Sequence, residues 1–149
     1  MPKIFRTMQK DGSKPLCGSG SFQLGVTVHP HENPDVTPDS GGFVDPQTGG
    51  MSVFASMKKL PGRLLPSRLR YLFPEDFQKA SGDDTLTVWC MIRKYFHSPQ
   101  SVSRLSHDWD DPNKPRHGLI KPVERMLIAD LQNELCSTRD QWEVHEVPE

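Results

Sequence analysis

The 149-residue sequence lacks a long apolar run and has almost no net charge. No stretch approaches the roughly 18 apolar residues that a membrane-spanning helix needs, and the amino terminus lacks the apolar segment of a cleaved secretion signal. The 18 Lys and Arg residues nearly balance the 19 Asp and Glu residues, so no overall field would recruit nucleic acid or an anionic membrane. These absences favour a cytoplasmic protein, and export by a machine that needs no cleaved signal stays open.

Cysteine is scarce as well, with Cys17, Cys90 and Cys136 far apart in the chain. None of them has the CxxC spacing of a zinc site or of a dense disulfide framework. We therefore expect three reduced thiols. The H-P-H-E segment at 29–32 has no third ligand motif to complete a metal site. The D-W-D-D-P-N segment at 108–113 lacks the glycine and glutamate of a calcium loop and is interpreted as a solvated acidic turn, so no metal is expected.

Proline and glycine are abundant, with 14 and 11 residues, which predicts many turns and short elements. The length suits a single domain over residues 1–149. A short run of β-prone residues before a turn predicts a strand around residues 4–7, and apolar alternation predicts strands at 22–28 and 85–95. The chain is expected to enter ordered structure at residues 51–54, directly behind the glycine pair. We expect an α+β fold of short, mostly antiparallel strands.

The remaining segments are predicted from breakers and helical periodicity. Prolines and glycines predict a long loop across residues 30–50, and Pro61 and Pro66 predict short kinked turns across residues 56–72. Apolar residues recur every three or four positions up to Trp142. They predict a C-terminal amphipathic helix of about 20 residues with Pro122 at its start.

The T-G-G-M-S-V-F run at 48–54 joins a turn to a predicted strand. The paired Gly49 and Gly50 would let the backbone approach a ligand closely and present N–H groups. The Ser52 hydroxyl behind them could orient a polar ligand. The simpler alternative is a tight turn that the serine caps.

Two further side chains are candidates for binding or proton transfer. His117, between Pro115 and Pro122, is predicted on a loop where an imidazole can donate, accept or carry a proton; an exposed histidine is the alternative. Arg6 is predicted among the apolar residues of the first strand, where a bidentate grip on phosphate or carboxylate would explain a guanidinium. An ordinary surface arginine on an edge strand is the alternative.

Several segments resemble a known family, the small exported toxins of type VI secretion typified by effector two (Tse-two). The D-P-Q-T-G-G-M-S-V-F segment at 45–54 resembles the family's D-T-G-G-T-S-V-F run. The H-G-L-I-K-P-V-E-R-M segment at 117–126 resembles its H-x-x-I-x-P-x-x-x-M segment. The R-D-Q-W-E segment at 139–143 resembles its terminal R-Q-W-E helix with one residue inserted, and I-F-R at 4–6 resembles its L-Y-R strand.

The resemblance implies an ADP-ribosyltransferase-like fold and an NAD-dependent toxin that acts inside cells. It implies a mono-ADP-ribosyltransferase or another NAD-consuming enzyme, with an acceptor macromolecule and a neutralising immunity protein as partners. By position, Ser52 and His117 would be catalytic. The residues implied in NAD binding are Arg6, Gly49, Gly50 and Ser52.

Breaking the nicotinamide–ribose bond passes through a cationic sugar, so the site must bind pyrophosphate, orient the ribose and stabilise positive charge. Arg6 would grip phosphate or ribose, Ser52 would orient nicotinamide or its ribose, and His117 would bond a ribose hydroxyl or accept a proton. The family's threonine before the serine is Met51 here, which removes one hydroxyl. The catalytic carboxylate is unassigned, because the glutamine and glutamate of Q-N-E at 132–134 would point to different faces of a helix.

Two other functions fit the same residues. A small ribonuclease would use His117 as a general base, with Arg6 or Lys121 on the phosphate. A non-enzymatic binding module would inhibit a cellular protein through its loops, and it would keep its activity when Ser52 or His117 is replaced by alanine.

Overall fold

The computed structural model describes residues 2–28, 33–96 and 104–147. These residues form a mixed α/β fold with mostly antiparallel strands and one C-terminal α-helix, α1 (Ile128–Ser137). Five 3₁₀ segments lie between them: Met57–Lys59, Gly62–Leu64, Ser67–Leu72, Arg93–Phe96 and Arg139–Gln141. The strands are β1 (Lys3–Met8), β2 (Lys10–Asp11), β3 (Lys14–Pro15), β4 (Phe43–Val44), β5 (Met51–Phe54), β6 (Thr87–Ile92), β7 (Leu105–Trp109), β8 (His117–Pro122), β9 (Met126–Leu127) and β10 (Glu143–Val144).

Six strands form the main antiparallel sheet in the order β10-β6-β1-β5-β8-β7. Successive residues of β6 point to opposite faces, so Val88 packs in one apolar cluster and Trp89 in the other. The larger cluster includes α1 through Leu131 and Leu135, and the smaller one includes the 3₁₀ segments between β5 and β6. The sheet is therefore covered on both faces.

The strand predicted at residues 4–7 is confirmed as β1, and residues 51–54 are confirmed as ordered structure, in β5. The strand predicted at 85–95 is confirmed only over Thr87–Ile92, because the chain turns into the 3₁₀ segment Arg93–Phe96 directly after it. The short kinked turns predicted across residues 56–72 are confirmed as three 3₁₀ segments. β7 has no counterpart among the predicted strands. Its alternation of Leu105, His107 and Trp109 with polar residues has the period of two that marks a half-buried strand.

The strand predicted at residues 22–28 is wrong. Leu24 and Val26 are buried, as the alternation suggests. Within the described ranges, however, no strand pairs with this segment, and its one β-bridge joins Leu24 to Cys17. The side-chain amide of Gln132 takes the place of a strand for Val26, because it accepts from the N–H and donates to the C=O, both at 3.0 Å. A side chain at position 25 would collide with that amide, and Gly25 leaves the space.

The predicted 20-residue helix is also wrong in length and start. Residues 117–122 form β8, and the α-helix begins only at Ile128 and spans 10 residues. His117 is therefore the first residue of a strand and not part of a loop. Pro122 fits the end of β8, where it lies opposite Leu105 of β7.

The expectation of three reduced thiols is wrong for two of the cysteines. Cys17 and Cys136 form a disulfide with their Cα atoms 5.6 Å apart, while Cys90 is a buried free thiol. The separation of 119 residues hid the pair, because distance along a chain does not determine distance in the fold. Among the described residues, no helix is long and apolar enough to cross a membrane.

Candidate functional site

The candidate site is a cavity of about 450 Å³ beside β1 and β5. The register places β1 against β5 at one position within the described strands, Phe5 opposite Phe54. Beyond that pair the two central strands share no further register position, and the side chain of Arg6 spans the gap. The cavity lining is formed by Arg6, Thr7, Ser21, Phe22, Thr27, Asn33, Asp35, Ser52, Phe54, Arg63, Leu64 and His117.

Arg6 joins β5 to the segment that precedes Leu24. Its Nη1 donates to the backbone carbonyl of Ser52 at 2.8 Å, and its Nη2 donates to the carbonyls of Gln23 at 2.9 Å and Ser21 at 3.3 Å. The side chain is buried, and burial lowers the pKa of Arg6 to about 10, an effect that the nearby Asp35 partly offsets. The guanidinium remains charged at neutral pH and fixes the backbone of Ser52.

Ser52 and His117 are brought together by the pairing of β5 with β8. His117 lies opposite Phe54, so its ring reaches diagonally to the side chain two residues away on β5. His117 Nε2 and Ser52 Oγ are 3.1 Å apart. The Phe54 ring packs edge-on against the imidazole with the ring centroids 5.2 Å apart. The two residues predicted as catalytic are thus hydrogen-bonded in one cavity.

Asp110 completes this contact and is a residue that the sequence analysis missed. Its Oδ2 lies 2.5 Å from His117 Nδ1. Because a carboxylate only accepts, Nδ1 carries the proton, and in a neutral ring Nε2 then accepts the Ser52 hydroxyl proton. The residue lies in the segment interpreted as an acidic turn. A signal was present in the spacing, since Asp110 and His117 flank the turn of a hairpin.

Among the described lining residues, Arg6, Arg63 and Asp35 bring charged side chains to the cavity wall. Asp35 is held by a reciprocal pair of bonds, in which Thr27 N donates to its Oδ2 and its own N donates to Thr27 Oγ1, each at 2.9 Å. Arg63 belongs to the 3₁₀ segment Gly62–Leu64. The wall therefore offers a carboxylate and a guanidinium in addition to the buried Arg6.

Gly49 and Gly50 stand directly before β5 but are not among the cavity-lining residues. Gly49 has a φ of +123° and packs against the carbonyl of Asp35, while Gly50 packs against the carbonyl of Ile120. A Cβ atom at either position would lie 2.1–2.3 Å from those oxygens. The two glycines thus let the chain before β5 pack against the backbone at Asp35 and at Ile120. This packing holds Asp35 and the start of β5, which carries Ser52, in place.

The described residues contain no group of three or more His, Cys, Asp or Glu side chains placed to hold a metal ion. The H-P-H-E segment lies outside the described residues. In the D-W-D-D-P-N segment, Asp108 forms an ion pair with Lys121 at 3.1 Å, and Asp111 accepts from the backbone N–H of Asn113. The carboxylates of Asp108 and Asp111 therefore contact groups of the protein itself.

The sequence matches no protein-family model and no curated protein.

Proposed function

We propose that this chain is an NAD-dependent toxin with an ADP-ribosyltransferase-like fold. The proposal rests chiefly on one observation, that Arg6, Ser52 and His117 come from three different strands and line the same cavity. The resemblance assigns the site to these three residues and to Gly49 and Gly50, which stand before β5 and outside the cavity lining. A chance resemblance gives no reason for three distant positions to converge.

The contacts allow the roles to be divided more finely than the sequence does. The Nη donors of Arg6 already bond to backbone carbonyls, so we assign Arg6 to holding β5 in place. Arg63, the other guanidinium on the wall, takes the pyrophosphate, for which its planar donors are suited. Ser52 and His117 orient the nicotinamide ribose through its hydroxyls.

Asp35 is our candidate for the unassigned carboxylate. Among the described lining residues it is the acidic one, and an anion on the wall would stabilise the positive charge that develops on the ribose. The bond from Thr27 N and the contact of Gly49 with its carbonyl fix its position. The cavity volume of about 450 Å³ lies within the range for small-molecule sites.

The ribonuclease alternative has less support from these contacts. Lys121, one of its two candidate phosphate ligands, is paired with Asp108 and does not line the cavity. Arg6, the other candidate, is committed to three carbonyls. The function that the site supports best is therefore cleavage of NAD, followed by transfer of ADP-ribose to an acceptor or to water.

The direct test is calorimetric titration with NAD together with chromatographic detection of released nicotinamide. We expect NAD to bind, and we expect Ser52→Ala, Arg63→Ala and Asp35→Asn to lower the rate of nicotinamide release by at least about tenfold. Ser56→Ala is the matched control, because Ser56 lies just beyond β5 and outside the cavity lining. No heat of binding and no nicotinamide above the background would contradict the proposal.

Toxicity provides the cellular test. Expression of the chain should arrest growth of a host cell, and a neutralising partner should restore growth. His117→Ala should abolish the arrest while the free energy of unfolding changes by no more than about 1 kcal/mol, because the ring is half-buried and outside the main core. Harmless high-level expression of the unmutated chain would count against a toxin.

A further inference from the structure

The contacts around Ser52 have a chemical consequence that does not involve NAD. Ser52 Oγ, His117 and Asp110 form a continuous hydrogen-bonded chain, with 3.1 Å between Oγ and Nε2 and 2.5 Å between Nδ1 and Oδ2. This is the arrangement in which an imidazole removes a proton from a serine hydroxyl while a carboxylate holds the ring in the required tautomer. The hydroxyl at the end of the chain lines the cavity.

The backbone holds all three groups in register. Ser52 and Phe54 lie on β5 opposite Leu119 and His117 of β8, and the Phe54 ring fixes the imidazole from one side. The turn between β7 and β8 is closed by a bond from Asp110 N to the carbonyl of His117 at 2.9 Å. Although the Asp110 side chain is 60% exposed, its backbone is therefore tied to the residue that its carboxylate contacts.

We infer that Ser52 Oγ is an activated nucleophile and that the cavity accepts small acyl esters. The serine oxygen attacks the ester carbonyl carbon while its proton moves to His117 Nε2. The bond to the alcohol then breaks, and the departing oxygen takes that proton. Water cleaves the resulting acyl-serine by the same route and regenerates the hydroxyl, so no oxidant or cofactor is needed. Asp110 acts through His117 and is a positioning residue.

Two measurements without NAD test this inference, and their result is independent of any NAD cleavage. An alkyl fluorophosphonate should form a covalent adduct that mass spectrometry of peptides maps to Ser52, with loss of fluoride. The release of p-nitrophenol from p-nitrophenyl acetate should be faster than with Ser52→Ala. No adduct at Ser52, or release no faster than with Ser52→Ala, overturns the inference, whatever the outcome of the NAD titration.

Labelling rates of variants show whether Ser52 reacts because His117 and Asp110 activate it or only because it is accessible. His117→Ala should slow fluorophosphonate labelling by at least about 100-fold, and Asp110→Asn by at least about tenfold. Asp111→Asn is the matched control, since Asp111 is the neighbouring acidic residue and its carboxylate accepts from the backbone N–H of Asn113, not from His117. Equal labelling rates for Asp110→Asn and Asp111→Asn overturn the role of Asp110.

Nitrogen NMR reports which ring nitrogen of His117 carries the proton, and a loss of stability alone would not change that tautomer. In the unmutated protein the proton should reside on Nδ1, which donates to Asp110. In Asp110→Asn the amide can donate to Nδ1, so the Nε2–H tautomer should appear in a protein that is still folded. An unchanged tautomer in Asp110→Asn contradicts the positioning role.

Discussion

At the scale of single residues, the site depends on a charge that is buried for a structural purpose. Arg6 gives up hydration, which lowers its pKa to about 10. In return its guanidinium bonds to three backbone carbonyls at the point where β1 and β5 cease to pair. A lysine has one ammonium group and no fork of donors, so it could not reach all three oxygens. The arginine thus supplies a donor to the Ser52 carbonyl of β5 and to two carbonyls of the segment before Leu24.

Arg6→Lys should therefore lower the free energy of unfolding by about 3 kcal/mol, because buried carbonyls lose their donors while a buried charge remains. Urea denaturation followed by tryptophan fluorescence measures this change. Arg116→Lys is the control, because Arg116 is exposed. A loss for Arg6→Lys no larger than that for the control would show that the Arg6 bonds contribute nothing net to stability.

At the scale of elements, the 3₁₀ segment Ser67–Leu72 is capped by a carboxylate from a distant loop. Asp84 Oδ1 accepts from Arg68 N at 2.7 Å and from Ser67 Oγ at 2.8 Å. These bonds hold the pKa of Asp84 below its ordinary value of 3.8, and the bond from the backbone N–H of Arg68 has the largest effect. The carboxylate is the form that the fold stabilises, so this cap depends on pH.

The sign of that dependence follows from the lowered pKa. The contribution of Asp84 is complete above the unfolded-state pKa, near 3.8, and is lost as the pH falls through the lower folded-state pKa. Asp84→Asn removes this titration, so its free energy of unfolding should fall less steeply below about pH 4. Urea denaturation over a pH series measures the slope, with Asp76→Asn as an exposed control. Identical slopes for Asp84→Asn and the unmutated protein would rule out the coupling.

The elements also show how far local pattern predicts this fold. β6 follows from apolar alternation and β1 from its run of β-prone residues, and most apolar side chains of both strands are buried in the sheet. The 22–28 segment also alternates, but no strand in the part of the chain that the structure describes pairs with it. Gln132, whose side chain bonds to Val26 in place of a strand, is more than 100 residues away. Likewise, the apolar spacing after Pro122 is that of a helix, yet the chain pairs with β4 through β9 before α1 begins.

The site, like the fold, was predictable only where local sequence carries the information. Arg6, Ser52 and His117 carry local motifs and a family resemblance, so sequence alone singles them out. Asp35 and Arg63 carry no motif in the sequence analysis, and Asp110 lies in a segment interpreted as an acidic turn. Only the tertiary fold brings Asp35 and Arg63 to the cavity and Asp110 to His117. A residue whose role depends on a partner from another element leaves little trace in its own sequence neighbourhood.

At the scale of the whole molecule, the amino-terminal region is fastened to the carboxy-terminal helix by several contacts. The Cys17–Cys136 disulfide joins the segment after β3 to α1. Close by, Arg139 forms an ion pair with Asp11 at 2.8 Å and donates to the carbonyl of Pro15 at 3.1 Å. The disulfide closes most of the chain into one loop, which restricts the unfolded state far more than the folded one.

Replacing both Cys17 and Cys136 with serine should lower the free energy of unfolding by about 2–5 kcal/mol, because the unfolded chain regains the entropy that the long loop withholds. Urea denaturation with and without a reducing agent measures the same quantity on the unmutated protein, and the reductant should have no effect on the double variant.

Thiol titration in denaturant provides the control on the covalent state. It should detect the free Cys90 alone before reduction and all three cysteines afterwards. Three reactive thiols in the unreduced protein would mean that the bridge does not form. Thiols are kept reduced in a cytosol. Urea denaturation with the reducing agent therefore gives the free energy of unfolding that the chain would have there without its disulfide.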